Sequence, residues 1–150
     1  MREILFRGKC KDTGKWYTGY YIHLHKTTYC FKEDYDRFKD NDIHQIVFEQ
    51  MTDWGLPNQH LRVDVIPETI GQYTGLADKN GTKIFEGDIV SISGELKGIY
   101  TCVWEEHNFE YEFDNKTMSF GLACVHSDDI KVVGNIYDNP ELLESEVDTE

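Results

Sequence analysis

The sequence predicts a mainly β protein, a small barrel or roll of short antiparallel strands. Three observations carry this expectation. Nine Tyr and eight Phe favour strands, because aromatic and β-branched side chains suit a pleated, half-buried surface. Short apolar runs bounded by turn residues recur at even spacing through residues 88–137. Between two such runs, Asp78-Lys79-Asn80-Gly81-Thr82 makes a tight turn, since Asn-Gly tolerates the positive φ that hairpin turns need.

The elements follow in order. Residues 2–8 set Ile4 and Phe6 against Leu5 and Arg7, a strand pattern. Asp12-Thr13-Gly14-Lys15 supplies a turn and residues 16–22 return, which makes an N-terminal hairpin. Residues 32–45 are charge-dense with no clean period, as in a solvated loop or short irregular helix. Ile46-Val47-Phe48 reads as a short strand, residues 54–60 as a loop anchored by Trp54, and residues 62–66 as a strand ended by Pro67. Strands are then expected at 69–74, 88–92, 98–104, 109–113, 120–125 and 130–137. Asn139-Pro140-Glu141 opens a helix of a turn or two, with Asn as cap and Pro at the first position. The organisation expected is a hairpin region with a variable insertion at 1–66, a barrel at 67–143 and an exposed acidic tail at 144–150.

The formal charge is −13 and unevenly spread. Residues 1–32 hold seven bases against two acids, a net of +5, which leaves −18 on the remainder. Such a split marks a nucleic-acid surface, two complementary faces that pair copies into a homo-oligomer, or a basic segment packed on its own acidic body. No stretch has the apolar core of a secretory signal, and none approaches the ~18 apolar residues of a membrane span. A cytoplasmic protein is therefore expected, and the sequons at Asn80 and Asn115 carry no meaning without export. Cys10, Cys30, Cys102 and Cys124 form no CxxC pair and read mostly as small core residues.

Candidate chemistry is sparse. His23 and His25 share one side of a strand and offer two ligands to a metal, but the sequence supplies no clear third or fourth. Exposed strand histidines are the simpler reading, and His44, His60, His107 and His126 stand isolated. Cys124 and His126 have the spacing of a thiolate and its base, yet Cys124 sits in an apolar run that suggests a buried thiol. Cys10, between Lys9 and Lys11, is the thiol expected to have a lowered pKa. An EF-hand register on Asn80 and Gly81 would put Leu76 and Gly87 at ligand positions, so a calcium loop fails. Phosphate-binding glycine motifs are absent. Glu110, Glu112 and Asp114 alternate with Phe109, Tyr111 and Phe113, the pattern of a strand with one wet face. Arg7, Lys9, Lys11 and Lys15 interleave with Phe6, Trp16, Tyr17, Tyr20 and Tyr21. That mixture suits either a single-strand-binding surface or the core of the first hairpin. No catalytic, cofactor-binding or metal residue is assigned, and no cofactor is expected.

Several segments resemble the YopX-like family of phage and prophage proteins. MREILFRGK is similar to its opening strand. Tyr73-Thr74-Gly75-Leu76, Asp78-Lys79-Asn80-Gly81, Ile84 and Glu86-Gly87-Asp88-Ile89-Val90 match its central signature, and residues 133–143 its closing strand and helical turn. Residues 26–65 carry no part of the signature. The resemblance implies an SH3-like C-terminal half and a phage or prophage origin, and it brings no catalytic set. The function expected is a non-enzymatic accessory protein that contacts a host or phage protein. The alternative is nucleic-acid handling, by single-strand binding at the N-terminal segment or DNA imitation by the acidic body.

Overall fold

The computed structural model describes residues 1–144, so all but Glu144 of the expected tail lies outside the described residues. The chain forms two compact units, residues 4–70 and residues 1–3 with 71 onward.

In the first unit, β1 (Phe6–Lys9), β2 (Trp16–Leu24), β3 (Ile43–Gln50) and β4 (Gln59–Asp64) stand antiparallel in the order β4-β3-β2-β1. The strand β2 changes partner along its length. Its first half pairs with β1, from Phe6↔Gly19 to Lys9↔Trp16. Its second half pairs with β3, from Tyr20↔Val47 to Leu24↔Ile43. Gly19 sits at the change, where the Val47 carbonyl occupies the space that a β-carbon would need. Ile46 and Val65 are fully buried and Cys10 nearly so. Thr69 locks the end of this unit: its hydroxyl donates to the Ile66 carbonyl at 2.6 Å and accepts from the Lys9 N–H at 3.0 Å.

Several boundaries differ from expectation. The first strand starts at Phe6 rather than residue 2. The charge-dense stretch holds a short helix, α1 (Lys32–Phe38), with no buried residue, and β3 begins at Ile43 because Ile43, His44 and Gln45 find partners on β2. Trp54 is no anchor. It stands 88% exposed on a loop lifted by Gly55 at φ 77°.

In the second unit, β5 (Gly71–Ala77) and β6 (Lys83–Phe85) form the hairpin around the Asn80-Gly81 turn. The strands β7 (Asp88–Ile92), β8 (Gly98–Glu105), β9 (Glu110–Asp114), β10 (Ser119–Gly121) and β11 (Ile130–Asn135) make a five-stranded antiparallel sheet in the order β10-β9-β8-β7-β11. A short helix, α2 (Glu141–Glu144), follows. The core gathers Ile84, Val90, Ile92, Tyr100, Cys102, Phe113, Leu122 and Ile130. Each such aliphatic or aromatic side chain contributes about 1.5–3 kcal/mol by leaving water. Val90 and Ile92 share the inward face, as strand alternation requires. Asp88 caps the turn between β6 and β7, its Oδ2 accepting from the Phe85 N–H at 2.8 Å.

The mainly β class and the short C-terminal helix agree with the sequence. The barrel does not: the sheet is open, with β10 and β11 as its edges. The cause lies in residues 120–125. They pair for three residues only and then turn into a 3-10 helix at Leu122–Cys124, so no long strand remains to close the sheet.

Candidate functional site

Two features carry polar chemistry that the fold itself does not use. The first is the hairpin of β8 and β9. No Lys or Arg occurs between Lys97 and Lys116, while Glu105, Glu106, Glu110, Glu112 and Asp114 do. The register sets Glu105 directly opposite Glu110, a like-charge pair that weakens a hairpin. Relief comes from the turn that joins the two strands. Glu105 Oε1 accepts from the His107 backbone N–H at 3.0 Å and meets its Nδ1 at 2.8 Å, and these bonds hold the Glu105 carboxyl below its usual range. Asn108 donates to Glu112 Oε1 at 3.3 Å.

At the tip, Phe109 has φ 53° and is 80% exposed. Among the described residues it is the non-glycine position with positive φ, a conformation uncommon for a bulky side chain. Below it the expected alternation holds in part: Phe113 is buried and Glu110 and Asp114 are exposed, but Glu112 is half-buried like Tyr111. Tyr111 packs edge-on against Trp104 across the hairpin at 4.9 Å. Burial, then the nearby Glu86 and Cys102, pushes its phenol up to about 12.

The second feature lies where β2 ends and β3 begins. His23 is on β2, His25 just beyond it, and Asp42 immediately precedes β3. Asp42 Oδ2 lies 2.9 Å from His23 Nε2 and 3.0 Å from His25 Nδ1, and the three ligand atoms all fall within 4.8 Å of one another. The two imidazoles are about half exposed, whereas the Asp42 side chain is only 9% exposed. Their bonds, His25's first, hold the Asp42 carboxyl below the usual range. His44, the cross-strand partner of His23, stacks on its ring at 4.4 Å. The Nδ1 of His44 meets the Tyr21 hydroxyl at 2.6 Å. Burial first, then the neighbouring His23, lowers the His44 pKa. Tyr35 of α1 sets its ring edge-on to His25 at 5.1 Å. Sequence reasoning found His23 and His25 but missed Asp42, and took His44 as isolated.

Other candidates fare differently. Cys124 is exposed, not buried, because its segment leaves the sheet in a 3-10 turn; His126 meanwhile caps the next turn, accepting from the Asp128 N–H. Cys30 is also exposed, so two of the four thiols are surface groups. Cys10 does have a lowered pKa, but Thr13 hydrogen bonds rather than the flanking lysines cause it. The basic N-terminal aromatics are largely occupied: Phe6 packs on Tyr21 at 5.6 Å, Tyr17 on Phe48 at 5.0 Å, and Arg7 lies 5.1 Å over Trp16. Tyr20 remains 62% exposed, beside a shallow groove of about 200 Å³ lined by Val47, Phe48, Glu49 and His60. No helix among the described residues is long and apolar enough to cross a membrane.

No curated protein matches this chain significantly. The structure is similar to the crystal structure of protein EF1440 from Enterococcus faecalis, with a TM-score of 0.51 and 23% identity over 95% of this chain and 99% of that one. That likeness extends to the fold. The family model described as YopX protein matches residues 5–144, nearly the whole of the chain, which therefore belongs to the YopX family.

Proposed function

We propose that this chain is a non-enzymatic interaction module of phage or prophage origin, whose β8–β9 hairpin docks on a basic surface of a protein partner. The observation that supports it is the hairpin's composition: five carboxylates without a Lys or Arg, two of them facing each other, around a displayed Phe109. Like charges across a hairpin cost stability, and a strained aromatic at its tip adds to that cost. A cationic partner turns both into binding energy, with the ring as a central anchor and the carboxylates steering encounter. The non-enzymatic part rests on openness. The Glu49–His60 pair lines an open groove and both side chains exceed 60% exposure, so bulk water reaches both groups and nothing encloses a substrate against them.

The test is capture from host lysate with nuclease present, using the wild-type chain and a Glu105→Gln, Glu110→Gln, Glu112→Gln variant. A basic protein held by the wild type and bound at least about tenfold more weakly by the variant supports the reading, and the residual binding should lose most of its salt dependence. Capture unchanged by neutralisation overturns it. Partners that vanish with nuclease would point to nucleic acid instead.

Phe109→Gly separates docking from folding. Glycine removes the left-handed strain but adds chain entropy, so stability should shift by less than about 1 kcal/mol. Partner affinity should nevertheless drop severalfold. A large loss of stability in urea unfolding would assign Phe109 to the fold.

A further inference from the structure

We propose that His23, His25 and Asp42 form a binding site for a first-row divalent transition ion such as Zn²⁺. The three donors converge from both sides of the β2–β3 connection, and Asp42 Oδ2 lies 2.9 and 3.0 Å from the two ring nitrogens. An ion with bonds of ~2.1 Å places neighbouring ligands about 3.0 Å apart at right angles and about 3.4 Å apart in a tetrahedron. The two spacings from Asp42 match the first and need only a few tenths of an ångström for the second, while the two ring nitrogens, within 4.8 Å of each other, close to the same spacing by turning about their side-chain bonds. Two imidazoles with one carboxylate favour Zn²⁺, Ni²⁺ or Cu²⁺ over the oxygen-seeking Mg²⁺ and Ca²⁺.

The surroundings hold the donors in place. Stacking on His44 at 4.4 Å fixes the plane of His23, and Tyr35 flanks His25. His44 is itself a support rather than a fourth ligand: it lies face to face on His23, held there by the contact of its Nδ1 with Tyr21, and the donor atoms that converge are those of His23, His25 and Asp42. The half-exposed rings leave one side of the ion to water. On binding, each ring proton now shared with Asp42 moves through solvent to the other ring nitrogen, freeing His23 Nε2 and His25 Nδ1 as donors.

The ion would clip together the two ends of residues 25–42, a connection whose helix α1 has no buried residue. Zn²⁺ titration of the full chain by calorimetry should give one equivalent. His25→Gln and Asp42→Asn should each weaken it at least tenfold, whereas His60→Gln and His126→Gln should not. Histidine-ring nitrogen spectra of the unmutated chain should show Zn²⁺ at His23 Nε2 and His25 Nδ1. Trypsin cleavage after Lys32 and Arg37 should slow severalfold with Zn²⁺ in the wild type only. Absence of binding overturns the proposal. So does binding that the His25 and Asp42 variants leave unchanged, or ring shifts confined to His107 and His126, which would mean an adventitious ion only.

Discussion

Replacing Gly19 by Ala is expected to destabilise residues 4–70 by about 3 kcal/mol or more. The added β-carbon would overlap the Val47 carbonyl oxygen, reach within 2.9 Å of the Val47 carbonyl carbon and press on Ile46 Cγ2 at 3.3 Å. Space is the issue here, since Gly19 does not use a positive φ. Side-chain crowding can relax through rotamers, but a backbone carbonyl moves only with its strand. Relief therefore means drawing β2 away from β3 and weakening the pairs from Tyr20↔Val47 to Leu24↔Ile43. Urea unfolding followed by circular dichroism checks this, with exposed Thr18→Ala as a neighbour that should change stability by less than about 0.5 kcal/mol. An unshifted midpoint for Gly19→Ala would refute the close approach of the two strands.

Asp78→Ala should cost the other unit about 3 kcal/mol, the sum of several lost bonds to a charged acceptor. The side chain is 6% exposed. Its Oδ1 accepts from the Asn80 and Thr82 N–H groups, and its Oδ2 from Val132, all at 2.9 Å. One carboxylate thus closes the β5–β6 turn and ties it to β11. Burial pushes its pKa up, but the bonds from Val132, Thr82 and Asn80 together outweigh burial and hold it below the ordinary value of 3.8. A carboxyl depressed on folding stabilises fully above its unfolded pKa and loses that contribution as pH falls through the folded one. The wild type should therefore shed this stability below about pH 4. Asp78→Asn keeps one acceptor oxygen but sets an amide N–H₂ against a backbone N–H. It should be less stable than wild type at neutral pH, and the gap should narrow as acid is added. A gap independent of pH would place the effect in packing rather than charge.

The Asp78 turn was legible because its chemistry is local: Asn-Gly sets the backbone, and the aspartate sits two and four residues from the amides it accepts. The third bond, to Val132, was not, since it needs β11 brought alongside. The same contrast explains the histidine cluster. His23 and His25 are visible from strand periodicity alone. Asp42 joins them from seventeen residues beyond His25, and only the His23↔His44 register places it there. Apolar character misled at residues 120–125, where strand-like composition ends in a 3-10 turn. Trp54 misled similarly, because loop geometry, not hydrophobicity, decides whether a ring finds cover.

Leu24 and Ile43 face each other as strand partners, so the backbone ladder of β2 and β3 closes without the residues between them. A two-residue Asn-Gly turn could join the strands directly. Residues 26–41, with their unburied helix, are an excursion between His25 and Asp42 that takes no part in that ladder. Such a segment is free to diverge or lengthen while the strands on either side stay put. It is also the natural place to graft a tag, a label or a foreign loop without disturbing the sheet.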